Sequence, residues 1–123
     1  MKEIIAIIRP KKVGPTRNAL EELGFPSMTA TAVTGRGMQR GIAGEVNMEC
    51  APELLVPNKP GGMKYIPKRL LSIVVQNSDV DAVVKTIIEV NQTAQIGDGK
   101  IFICPLDTAV RVRTDERGDD AVL

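Results

Sequence analysis

Near the start of the chain, Glu3-Ile4-Ile5-Ala6-Ile7-Ile8-Arg9 narrows the possible folds more than any other stretch. Its β-branched isoleucines favour a strand, and Pro10 ends it. Side chains alternate across a strand, so Ile4 and Ile8 face one way and Ile5 and Ile7 the other. A strand apolar on both faces needs cover on both. A layer of helices can supply one cover; a second copy of the chain can supply the other.

The remaining elements fit that demand. Residues 12–24 read as a helix, with Pro15 in the first turn, Leu20 and Leu23 on one face and Gly24 as the stop. From Met28 to Arg36, Thr29, Thr31 and Val33 alternate with Ala30, Ala32 and Thr34, which reads as a second strand. Residues 66–76 hold a third, around Leu70-Leu71-Ser72-Ile73-Val74-Val75. Residues 79–91 place Val80, Val83, Val84, Ile87 and Ile88 on one helical face, with Ser78 or Asp79 as cap. A fourth strand follows at 101–104, and Ala109 to Val112 reads as a further short one. The acidic end near Asp119-Asp120 reads as a flexible tail. The order βαββαβ predicts an α+β, ferredoxin-like sandwich in a single domain over residues 1–123. Both helices then cover one sheet face, and the other implies an oligomer with its sheets turned inward.

Composition excludes several functions. With 43% hydrophobic but 2% aromatic residues, the core is aliphatic. A sheet so poor in aromatics offers little to stack nucleic-acid bases on, and a net charge of +1 gives no general attraction to nucleic acid or anionic lipid. There is no histidine, which removes the commonest general base near neutral pH. Cys50 and Cys104 lack metal-ligand spacing, and a reduced cytosolic protein is the simpler reading. No apolar run reaches the length of a membrane span, and Met1-Lys2-Glu3 leads straight into a strand without the look of a signal peptide. A cytoplasmic location is expected.

The candidate chemistry lies at glycine-rich breaks. Gly97-Asp98-Gly99-Lys100 separates the second helix from the fourth strand. Its glycines free the backbone to turn and to expose N–H groups, and Lys100 adds a cation, a combination suited to phosphate. Gly35-Arg36-Gly37-Met38-Gln39-Arg40-Gly41 is a second such stretch, and Arg111 and Arg113 offer two more guanidinium groups. Between strands two and three, about residues 37–65, lies a long loop rich in Gly, Pro, Asn, Glu and Lys. Connections this long are usually functional or disordered. It reads as a ligand-ordered loop that addresses a partner.

Taken together these segments resemble the PII signalling proteins, trimeric sensors of nitrogen status. The resemblance runs through Ala6-Ile7-Ile8-Arg9-Pro10, Met28-Thr29-Ala30-Thr31, Gly35 to Gly41, Pro67-Lys68, Ile96 to Phe102, and Arg111-Val112-Arg113-Thr114 with Glu116-Arg117-Gly118. It covers nearly the whole chain apart from most of the loop. Gly61 to Arg69 and Val90-Asn91-Gln92-Thr93 are most similar to the second, longer-loop member of the paired regulators encoded with nitrogenase in methanogens and some anaerobic bacteria.

The resemblance implies a non-enzymatic regulator that binds ATP or ADP between subunits, with Mg and 2-oxoglutarate at the loop base. It implies a trimer, or a hetero-oligomer with a sister subunit, and a nitrogenase component as target, held inactive when nitrogen is plentiful. At the level of the family it also implies a link to transcription regulation. Gly97, Asp98, Gly99 and Lys100 would cradle phosphates, and Arg111 and Arg113 would reach them from the neighbouring subunit. Gly35, Gly37, Met38 and Gln39 would line the loop base, with Gln39 completing the Mg shell. Ile7, Thr29, Ser72 and Val74 would flank adenine and ribose. Lys68, Arg9, Gln39 and Gly41 would hold 2-oxoglutarate. The chain departs from relatives at Met38, where Arg is common, at Arg36, where Phe is common, and at Ser72, where Glu is common. Other PII targets, an ammonium transporter or glutamine synthetase, and slow ATP hydrolysis around Lys68, Lys100, Asp98 and Gln39 are the alternatives.

Overall fold

In the computed structural model, residues 1–37 and 65–122 are described. Strand β1 (Lys2–Ile8) leads through a 3₁₀ turn at Pro10–Lys12 into helix α1 (Val13–Leu23) and strand β2 (Thr29–Arg36). Strand β3 (Tyr65–Val75), a 3₁₀ turn at Asn77–Asp79, helix α2 (Val80–Asn91) and strand β4 (Gly99–Pro105) follow. The strands form one antiparallel sheet in the order β2-β3-β1-β4, the ferredoxin-like arrangement expected.

The isoleucine run behaves as its alternation requires. Ile4, Ala6 and Ile8 lie on the helix-covered face, where Ile4 pairs with Ile73 and Ala6 with Leu71. With Leu20 of α1 and Val83 and Ile87 of α2 they form a core in which each side chain is at most 2% exposed. Burying each such side chain stabilises the fold by about 1.5–3 kcal/mol, so this layer dominates cohesion. On the opposite face Ile5 pairs with Ser72 and Phe102, and Ile7 with Leu70 and Lys100. This face is only half-buried within one chain, and Phe102 is 45% exposed.

Local chemistry sets the helix ends. Gly24 adopts φ 104°, a left-handed stop, and its N–H bonds back to Leu20 and Glu21. The expected cap at Ser78 or Asp79 takes another form. Asp79 occupies the cap position without a side-chain capping bond, at the end of the preceding 3₁₀ turn. A buried polar link joins the helices: Asn91 Nδ2 donates to Thr16 Oγ1 at 3.0 Å, and Thr16 Oγ1 donates to the Lys12 carbonyl at 2.7 Å.

The C-terminal stretch corrects one expectation. Ala109 to Val112 is not a strand; Val110 makes an isolated bridge to Arg117 across a tight turn. Gly118–Ala121 near the acidic end form a 3₁₀ turn. Arg111 pairs with Glu116 at 2.6 Å and Arg117 with Asp115 at 3.1 Å, so ion pairs within the turn close it in place of a sheet partner.

Candidate functional site

The turn joining α2 to β4 is built around one carboxylate. Asp98 accepts from the backbone N–H of Thr93 at 2.6 Å, from that of Ala94 at 2.9 Å, and from the Thr93 hydroxyl. Arg9 adds an ion pair at 2.6 Å and donates to the Ile96 carbonyl at 3.0 Å. Ala94 is thereby held at φ 65°, a conformation an alanine rarely adopts unaided. Desolvation opposes ionisation of Asp98. The bonds from Thr93, Arg9 and Ala94 outweigh it and hold the carboxyl well below the usual carboxylate range.

A folded-state pKa depressed below the unfolded value stabilises the fold above the unfolded value, near pH 4, and that contribution is lost as pH falls through the folded pKa. Acid therefore opens this turn only well below pH 4. Asp98→Ala removes the carboxylate that gathers the Thr93 and Ala94 N–H groups and pairs with Arg9, and is expected to cost about 2–4 kcal/mol. Urea unfolding at neutral pH checks this, and an unchanged midpoint would count against the carboxylate as the turn's organising group.

The same turn meets strand β3. Lys68, 8% exposed, donates through Nζ to the Gly97 carbonyl at 2.6 Å. Gly97 sits at φ 101° and Gly99 at φ 123°, both positions that favour glycine. At Gly99 a Cβ would lie 2.1 Å from the Ile7 carbonyl oxygen, so only glycine lets the turn enter the sheet there. Gly99 and Lys100 are strand residues. Lys100 therefore stands on the open sheet face opposite Ile7.

These elements enclose a cleft of about 360 Å³ that joins the two glycine-rich segments. Ile7, Gly35, Gly37, Lys68, Gly97, Gly99 and Lys100 line it, all of them expected from sequence, together with Arg36, Ile66, Ile96 and Phe102. Lys68 and Lys100, on the open face that Ile7 shares, give it two cations, and no Asp or Glu stands among the described lining residues. Two cations, the glycine turn at 97–99 and an apolar floor suit an anion with an organic body. Among the described residues there is no cluster of His, Cys, Asp and Glu that could hold a metal.

Other expected residues stand elsewhere. The Asp98 carboxylate is turned into its own loop, which makes it an organiser of the cradle rather than a ligand contact. Arg9 is tied to that carboxylate. Thr29, Ser72 and Val74 share the open face but lie further along the sheet, outside the cleft lining. Ser72 Oγ donates to Glu3 Oε2 at 2.6 Å, placing on this face a carboxylate that sequence reading passed over. Arg111 and Arg113 do not line the cleft of their own chain. The Thr114 hydroxyl and the Arg111 guanidinium hold Glu116 below the ordinary carboxylate range. Met38, Gln39, Gly41 and Cys50 lie outside the described residues, and Cys104 is a free, half-buried thiol. Thr93 is the residue sequence reasoning undervalued, and a threonine five positions before a glycine-flanked aspartate was the available signal.

Comparison with known proteins bears on this geometry. The family profile described as "Nitrogen regulatory protein P-II" matches residues 1–116. The chain is 57% identical over 122 residues to "Nitrogen fixation nifHD1 region GlnB-like protein 2" of Methanosarcina barkeri, covering 99% of each chain. It is 56% identical over 123 residues to a nifHD region GlnB-like protein 2 of Methanobacterium ivanovii, covering both chains in full. The crystal structure of Arabidopsis thaliana PII bound to citrate is similar, with a TM-score of 0.73 and 32% identity, over 98% of this chain and 88% of that one.

Proposed function

This chain belongs to the P-II family of nitrogen regulatory proteins, and on that premise we propose that its cleft binds ATP or ADP and, beside it, 2-oxoglutarate. The observation that carries the reading is the cleft in which Lys68, Lys100 and the 97–99 turn meet the Gly35–Gly37 strand end, with no acid among its described lining residues. Lys100 and the backbone of Gly97 and Gly99 suit the phosphates of the nucleotide, and Lys68 suits a carboxylate of the keto acid. The described residues fit an anion. Mg²⁺ would rest on Gln39 together with oxygens of the bound anions, and when present it would neutralise phosphate charge.

The chain would transduce nitrogen status without catalysis. The relatives named for nitrogen-fixation regions support a nitrogen-fixation component as target, inhibited when fixed nitrogen is plentiful and released by 2-oxoglutarate. The half-buried open sheet face supports a trimer, or assembly with a sister subunit, in which Arg111 and Arg113 approach a neighbour's nucleotide. No helix among the described residues is long and apolar enough to cross a membrane, and the location proposed is the cytoplasm.

Calorimetric titration of ATP, with and without 2-oxoglutarate, tests the reading. Removing the ammonium in Lys100→Ala is expected to cost a charge-assisted contact of about 1.5–3 kcal/mol, a loss of roughly 10- to 150-fold in affinity. Unchanged ATP binding in that variant would remove the assignment, and a folded monomer in micromolar sedimentation runs would remove the trimer.

A further inference from the structure

We propose that Glu3, held in place by Ser72, reads the base of the nucleotide and selects a purine that carries an exocyclic amino group. The inference rests on the nucleotide-site reading above and adds a carboxylate that reading leaves unused. Residues 3, 5 and 7 of β1 share the open face. The register sets Ile5 between Ser72 and Phe102, and Ile7 between Leu70 and Lys100. Among the described strand residues of this face, Lys68 and Lys100 are the only cations and stand at one end. Glu3 is the only acid among them and stands at the other.

The ground between the two ends is continuous and apolar. Ile7 and Phe102 line the cleft, Phe102 pairs with Ile5, and Ile5 pairs with Ser72. Ser72 Oγ donates to Glu3 Oε2 at 2.6 Å, and both residues are half-buried. That bond orients the carboxyl group and leaves further acceptor positions on it, since a carboxylate offers about four. Four residues of strand lead from Ile7 to Glu3, a span of about 13 Å at roughly 3.3 Å per residue. A nucleotide with its phosphates at Lys100 covers that span, with its ring system over the apolar middle and the ring edge beside Glu3. A carboxylate only accepts, so it favours an amino hydrogen there and repels a carbonyl oxygen. Adenine satisfies it with its 6-amino group. Where copies pack through their open faces, a neighbour's Glu3 meets the base by the same chemistry.

Purine riboside triphosphate, which is ATP without the 6-amino group, is the probe, titrated beside ATP in a calorimeter. The full chain is expected to bind ATP roughly tenfold more tightly than this analogue, about the worth of one hydrogen bond to a charged acceptor. Glu3→Ala is expected to lose the preference by weakening ATP alone, and Ser72→Ala to lose part of it. Lys100→Ala is expected to weaken both nucleotides alike and keep their ratio. Circular dichroism confirms that each variant is folded. Glu3→Met, which keeps the length of the side chain and removes its oxygens, replaces Glu3→Ala if the latter does not fold. If the parent chain does not distinguish the two nucleotides, or if Glu3→Ala keeps the preference, the role of Glu3 is refuted while the cleft stands. An unchanged preference in Ser72→Ala overturns the positioning by Ser72. If the parent chain binds neither nucleotide, the nucleotide-site reading fails and Glu3 with it.

Discussion

Gly99→Ala is expected to be among the most damaging single-methyl additions in this protein, lowering stability by about 3–5 kcal/mol. Two costs combine. The backbone at Gly99 has φ 123°, where an L side chain is strained, and the new Cβ would stand 2.1 Å from the Ile7 carbonyl oxygen. That oxygen belongs to the central strand and cannot rotate away as a side chain can. Relief requires β4 to part from β1 at the point where the cleft is formed, so anion affinity is expected to fall with stability. Gly24→Ala is the internal control. Gly24 also has positive φ, 104°, yet nothing lies within 4 Å of a Cβ built there. That variant should show the conformational cost alone, about 1 kcal/mol. Urea unfolding of the two variants compares them directly. Equal losses would mean that the Ile7 carbonyl is not the constraint.

The second large effect is expected at Lys68, on the proposed function. Lys68 is a buried cation whose ammonium is held by the Gly97 carbonyl, so it is already aimed at the turn where the ligand would lie. A keto acid can shift the protein's affinity for a target only by binding one of its states better than the other. Removing the ammonium removes a charge-assisted contact, and the 2-oxoglutarate needed to release the target should rise by roughly 10- to 150-fold. Lys68→Ala should therefore still bind the target and respond to 2-oxoglutarate only at far higher concentration. Titrating 2-oxoglutarate into the preformed complex measures this. Release of the variant at the parent's concentration would show that Lys68 does not hold the keto acid.

Much of the scaffold was legible before any coordinates. The alternation of Ile4, Ile5, Ile7 and Ile8 implied a strand with two apolar faces, and the structure places those pairs on opposite sides of the sheet. The spacing of Val80, Val83 and Ile87 implied the helix that covers one side. Ala109 to Val112 misled for a physical reason. Alternation marks which residues can form a strand, but a strand also needs a partner edge, and here the chain turned back on itself through Arg111–Glu116 instead. Lys100 was recognised as a cation beside a turn, but its place in the ladder opposite Ile7 follows only from pairing.

Short-range periodicity and steric rules act within a few residues, so the sequence alone determined the elements, their order, the aliphatic core and the need for glycine at the turns. Meetings between distant residues depend on strand order and register, which no local pattern contains. Arg9 and Asp98 are 89 positions apart, and Lys68 and Gly97 are 29 apart. Tertiary structure decided that Asp98 braces the turn while Lys68 and Lys100 face the cleft. It also set Gly35 beside Lys68, because the antiparallel ladder brings the end of β2 against the start of β3.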